Sequence, residues 1–119
     1  MFAEALAARL QWEPDIRVLD CGTGSAALRR ALSRSWANVV LGDVALFEPD
    51  LIAHDGGPRR PALVLLADRH DHWRLAAAIR SGVRGWVLRD STVGDLLVTI
   101  RAAAEGGNRI EPTVRRDGH

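Results

Sequence analysis

LAAAIRSGVRGWVLRDSTVGDLLVTIRAAAEGG, residues 75–107, spells helix, strand and helix, with a cation placed where the strand ends. Leu75, Ala76 and Ile79 recur at helical spacing, and Gly82 is suited to close that helix in the left-handed conformation. Gly85 to Leu88 is short, apolar and β-prone, and Arg89 follows it directly. Thr92, with Asp95 three residues on, is a capping pair for a second helix. Val93, Leu96, Ile100 and Ala103 share one face of that helix before Gly106 and Gly107 stop it. In an open parallel sheet, ligands sit beyond the carboxyl ends of the strands, so Arg89 is expected to face a site.

Working outward, the alternation continues. Phe2, Leu6 and Leu10 repeat at helical spacing, and the turn at Glu13 to Asp15 leads into a β-like run, IRVLD, at 16–20. Gly22 to Ser25 turns into AALRRALSRSW, where Ala27, Leu28, Ala31 and Leu32 are expected to face inward and the arginines outward. NVVLGD, 38–43, reads as a strand ending in a carboxylate, and 45–60 lacks a long period and is broken by Pro49, Gly56, Gly57 and Pro58. ALVLLA, 62–67, is apolar on both faces and is expected to be a central parallel strand. Strands separated by helices of this length imply right-handed crossovers and a three-layer α/β domain with a mostly parallel sheet of four or five strands.

Composition sets bounds. A chain of 119 residues makes one domain, and its net charge of +1 gives no whole-chain argument for nucleic acid, although every basic residue is arginine. The single cysteine, Cys21, excludes an internal disulfide framework and fits a reducing cytosol. No apolar run approaches a membrane span and the amino terminus lacks signal-peptide order, so a cytoplasmic protein is expected.

The EPDIRV opening, the ALRRAL helix, the VVLGD strand and above all IRSGVRGWVLRDSTVGDLLVTIRAAAEGG resemble the receiver domain of response regulators, NarL/FixJ class. The resemblance implies a flavodoxin-like receiver fold over 1–108, with 109–119 as a tail or linker remnant, and a place in two-component phosphorelay signalling and transcriptional control. The LuxR-type helix-turn-helix that follows in that class has no counterpart after Arg116, so direct DNA binding is not expected. The family transfers a phosphoryl group to an aspartate with the help of a divalent cation, and a lysine contacts the phosphoryl oxygens. By motif match Asp43 stands at the phosphoacceptor position and Arg89 where the family has its lysine. Ala67 stands where the family has a hydroxyl, and Trp86 at the aromatic switch position.

The departures carry as much meaning as the matches. Alanine cannot donate a hydrogen bond, and the acidic pair of the family's first strand is missing because the chain starts at what resembles the first helix. Either a fragment or a truncated gene model would account for that start. Phosphorylation with Mg2+ is therefore expected to be impaired, leaving a non-enzymatic module that dimerises or holds a protein partner through Leu88, the 93–103 helix and the first helix. A sensor histidine kinase is the implied upstream partner. If IRVLD pairs beside NVVLGD, Asp20 and Asp43 end adjacent strands and form a cation pair; otherwise Asp20 is a turn residue. Asp43 is open to two readings, phosphoacceptor or a carboxylate capping the next segment, and Arg89 is suited to pair with it in either. Trp86 is read as packing or partner surface.

VLDCGTGS, 18–25, resembles the glycine-rich motif of Rossmann-type methyltransferases that bind S-adenosylmethionine, an alternative that the short chain leaves little room for. ADRHDHW, 67–73, gathers Asp68, His70, Asp71 and His72, but alternate positions on a loop or helix start are not expected to converge on one ion. Cys21 reads as a small packed residue.

Overall fold

The computed structural model describes residues 2–19, 21–33, 37–52, 61–107 and 109–110. Its elements in chain order are α1 (Phe2–Leu10), α2 (Gly24–Ser33), β1 (Val39–Asp43), β2 (Ala62–Ala67), α3 (Leu75–Ser81), β3 (Gly85–Leu88), α4 (Val93–Ala104) and β4 (Arg109–Ile110). One turn of 3-10 helix follows β1, at Val44–Leu46, and two turns precede α3, at Arg69–Arg74.

The sheet is parallel in the order β1-β2-β3-β4. Its body is β1, β2 and β3; β4 adds two residues that pair with Gly85 and Trp86, and these lie inside the stretch read from sequence as tail. The alternation of strand side chains distributes the apolar residues to two clusters. Val40, Leu63, Leu65, Ala67 and Trp86 meet Leu28 and Leu32 of α2 and Ala78 of α3. Val64, Leu66 and Val87 meet Leu10 of α1 and Leu96, Leu97, Ile100 and Ala103 of α4. β2 is thus covered on both sides, as its unbroken apolar run requires.

Local chemistry explains the helix ends. Gly82 takes φ 102° and its N–H closes onto the last turn of α3, while the Thr92 hydroxyl accepts from the Asp95 N–H at the start of α4. The inward face of α3 differs from the stripe read in the sequence. Ala78 is fully buried, whereas Ala76 is exposed and Ile79 is 49% exposed, because the helix turns Ala78 into the cluster on that side of the sheet. Leu88 is likewise buried at 3% exposure, so it is not part of an accessible face. The side chain of Phe2 lies outside what the structure describes.

Residues 16–19 form no strand. Ile16 and Val18 instead pack as side chains against the cluster of Leu10, Val64, Leu66 and the α4 residues, as Val39 and Leu41 also do, and the Val18 N–H donates to Gln11 Oε1. The β-like alternation of IRVL reflects this one-sided burial rather than a ladder. Asp20 lies outside the described residues. The segment before it is tied to α4 by ions: Arg101 forks onto Asp15 at 2.8 and 2.9 Å and reaches Glu13 at 3.1 Å, and Arg9 also holds Glu13.

Gly85 is dictated by the approach of α4. A Cβ there would lie 2.7 Å from Thr99 Cγ2 and 2.9 Å from Val64 Cγ2. Gly85→Ala is expected to cost about 1–3 kcal/mol by overpacking, read as a lower urea midpoint at unchanged slope. Trp86, the largest fully buried side chain, carries an indole N–H without a partner among the described residues. Trp86→Ala is expected to cost about 3–5 kcal/mol, while Trp86→Phe loses far less because the orphaned donor, itself a burden of about 1–3 kcal/mol, leaves with the ring. Equal losses in the two variants would show that the indole N–H carries no such burden.

Candidate functional site

Because β1, β2 and β3 run parallel in near register, their carboxyl ends lie side by side: Asp43 pairs with Leu66, and Ala67 with Leu88. Each end presents a charge. Asp43 closes β1, Asp68 follows β2, and Arg89 follows β3.

Arg89 joins all three. Its backbone N–H donates to the Ala67 carbonyl at 2.9 Å, its Nη2 donates to Asp43 Oδ2 at 2.5 Å, and its Nε lies 3.4 Å from Asp68 Oδ1. The other Asp43 oxygen, Oδ1, accepts from the Ala45 N–H at 2.9 Å and so caps the turn that follows β1. Both oxygens of this carboxylate are engaged. Partial burial works against the charged form of Asp43, but the Ala45 N–H and the Arg89 guanidinium together outweigh it and hold the carboxyl below its ordinary value of 3.8.

Around this clamp the edge neutralises itself. Arg69 Nε meets Asp90 Oδ2 at 3.4 Å, and Arg74 Nη1 donates to the Val44 carbonyl at 2.8 Å, tying the turn after β1 to the start of α3. Asp71 Oδ2 accepts from the Asp68 N–H, which opens the 3-10 turn. That turn corrects the expectation for ADRHDHW. With three residues per turn, positions 68 and 71 stack, and the ligand atoms of Asp68, His70 and Asp71 fall within 4.8 Å of one another. His72 points elsewhere, its Nδ1 3.3 Å from the Arg69 carbonyl. Among the described residues these three are the group able to hold a metal ion, and Asp68 belongs to both that group and the Arg89 clamp.

The remaining sequence candidates are placed as follows. Ala67 is fully buried and offers the edge only its carbonyl. Trp86 stands in the core beside it, cross-strand from Leu65, and has no exposed surface to offer a partner. Cys21 is exposed rather than packed. The strand that a cofactor-binding glycine loop at 22–25 would need before it is not formed over 16–19. Sequence reasoning missed Asp68 as the second partner of Arg89. The signal was present, since ALVLLAD and WVLRD each put a charge immediately past an apolar strand.

No protein-family model matches the chain, and no curated protein is significantly similar to it.

A group whose folded-state carboxyl is depressed contributes stability above its ordinary value and loses it as pH falls through the depressed one. The Asp43–Arg89 pair, with side chains 41% and 29% exposed, should therefore contribute about 0.5–1 kcal/mol at neutral pH and progressively less below pH 3.8. Urea titrations of the wild type and Asp43→Asn across that range check it: the gap between the proteins should close on acidification.

Proposed function

We propose that this chain is an atypical receiver-like domain of the NarL/FixJ kind, with the flavodoxin-like three-layer arrangement of that class, serving phosphorelay signalling and transcriptional control as a protein-interaction module that does not depend on phosphorylation. The reading rests first on the Asp43 carboxylate. One oxygen accepts from the Ala45 N–H and the other from Arg89, and each of these bonds draws electron density from the oxygen that would have to attack phosphorus. Ala67 adds to this, because a methyl group cannot carry a hydrogen bond from a phosphoryl oxygen to the rest of the domain. The permanently charged guanidinium stays paired with the Asp43 carboxylate, so the edge is held in one state.

The interaction surface in this reading is the outer side of α4, where Val98 is 50% exposed, together with α1. The partner is a second copy or another protein of the same pathway, in which a sensor histidine kinase acts upstream; neither DNA nor a membrane is required. No helix among the described residues is long and apolar enough to cross a membrane.

Incubation with acetyl phosphate and magnesium, followed by intact mass measurement, is the test. No adduct should form over a wide magnesium range. A stoichiometric phosphoryl adduct that disappears in Asp43→Asn would overturn the phosphorylation-independent reading.

A further inference from the structure

The sheet uses only one side of β1. In a parallel ladder successive residues direct their N–H and C=O groups to opposite neighbours, and the Ala62 N–H donates to the Asn38 carbonyl at 2.9 Å, so Asn38, Val40 and Gly42 serve β2. Val39, Leu41 and Asp43 direct theirs away from it. No backbone group among the described residues meets that outer edge: the N–H groups of Ile16 and Val18, which pack on the same cluster as Val39 and Leu41, go to the Glu13 carbonyl and to Gln11. At the opposite side the sheet ends in β4, two residues long. β1 is longer and lacks the usual protections of an edge, because its register with β2 is unbroken, it holds no proline, and its one charge, Asp43, stands last and is paired with Arg89.

We propose that the outer edge of β1 docks a second copy of this chain, the two β1 strands lying antiparallel about a two-fold axis at Leu41. An edge whose outward residues are Val39, Leu41 and Asp43 is self-complementary. Each Leu41 exchanges both hydrogen bonds with its counterpart and each Val39 does so with the Asp43 of the other copy, so every outward N–H meets an outward C=O. The half-buried Leu41 side chains become cross-strand neighbours, on the face where Val39 and Leu41 already rest on the α4 cluster. The like charges do not oppose this. Four residues of strand separate the two Asp43 side chains by about 13 Å, beyond a screening length of about 8 Å, and each is already paired with its own Arg89. This surface is distinct from the outer side of α4, and the inference stands whether or not the domain serves a phosphorelay.

The test follows the wild type from micromolar to millimolar concentration, by sedimentation and by amide exchange at each residue. Association should rise with concentration, and with it the protection of the Val39, Leu41 and Asp43 amides, while Val40 and Gly42 stay protected at every dilution. Val39→Pro removes an outward donor from each copy without touching the β2 ladder, and should weaken association about tenfold or more. If that variant does not fold, the alternating protection in the wild type decides alone. A protein that stays monomeric at millimolar concentration would overturn the inference. So would a dimer whose three outward amides exchange freely, or one lost in Val98→Glu and kept in Val39→Pro, since either seats the contact elsewhere. Protection of the three at every dilution would overturn it as well, because the chain would then cover its own edge.

Discussion

The constraint on which everything else depends is that β2 is apolar on both faces. Leu63, Leu65 and Ala67 on one side and Val64 and Leu66 on the other must all leave water, and burying each larger side chain contributes about 1.5–3 kcal/mol. One layer of cover cannot do this. Helices have to lie on each side, and the chain has to cross over between strands to put them there, which leaves β1, β2 and β3 parallel with their carboxyl ends in line. The meeting of Asp43, Asp68 and Arg89 is a product of that alignment. No long-range attraction between these charges is needed to explain it, only that each sits at the carboxyl end of its strand.

Much of this was legible in residues 75–107. The left-handed cap at Gly82, the Thr92 cap and the buried face of α4 are local chemistry, written within a few residues of where they act. The Asp43–Arg89 contact was legible too, because strand ends in a parallel sheet are neighbours whatever the sequence between them. What sequence could not supply was tertiary. Ala76 and Ile79 satisfied a helical period but lost the inward position to Ala78, which is buried in the cluster that also holds Trp86. IRVL alternated like a strand but joins no ladder, and among the described residues its backbone bonds only to Glu13 and Gln11 nearby. The 3-10 winding after β2 decided which of the Asp and His residues meet, and nothing in ADRHDHW distinguishes that winding from a loop.

Trp86 and Ala67 illustrate a local conflict that the fold tolerates. A ring with a hydrogen-bond donor fills the space beside a methyl group, and the described core gives the donor no partner. The volume of the indole accounts for its presence; its nitrogen does not. Sites where a local rule is broken without visible compensation commonly mark a function or a loss of one. Here the unmatched donor and Ala67 lie on the same cluster, and Ala67 ends β2 at the charged edge.

The ionic tie between Arg101 and the Glu13–Asp15 turn sets how the molecule comes apart. The backbone hydrogen bonds of residues 11–16 are local, from Gln11 to Ala7, Trp12 to Arg9, Glu13 to Leu10 and Ile16 to Glu13. None of them belongs to the sheet ladder. The amino-terminal arm is therefore a cover fastened by side chains, through Leu6, Leu10, Ile16 and Val18 on the apolar cluster and the Arg101 fork at its edge. Such a cover can lift while β2 and β3 remain paired, and salt weakens its fastening before it touches the ladder. Amide protons near the arm would then exchange ahead of those in β2, by local opening below the global transition.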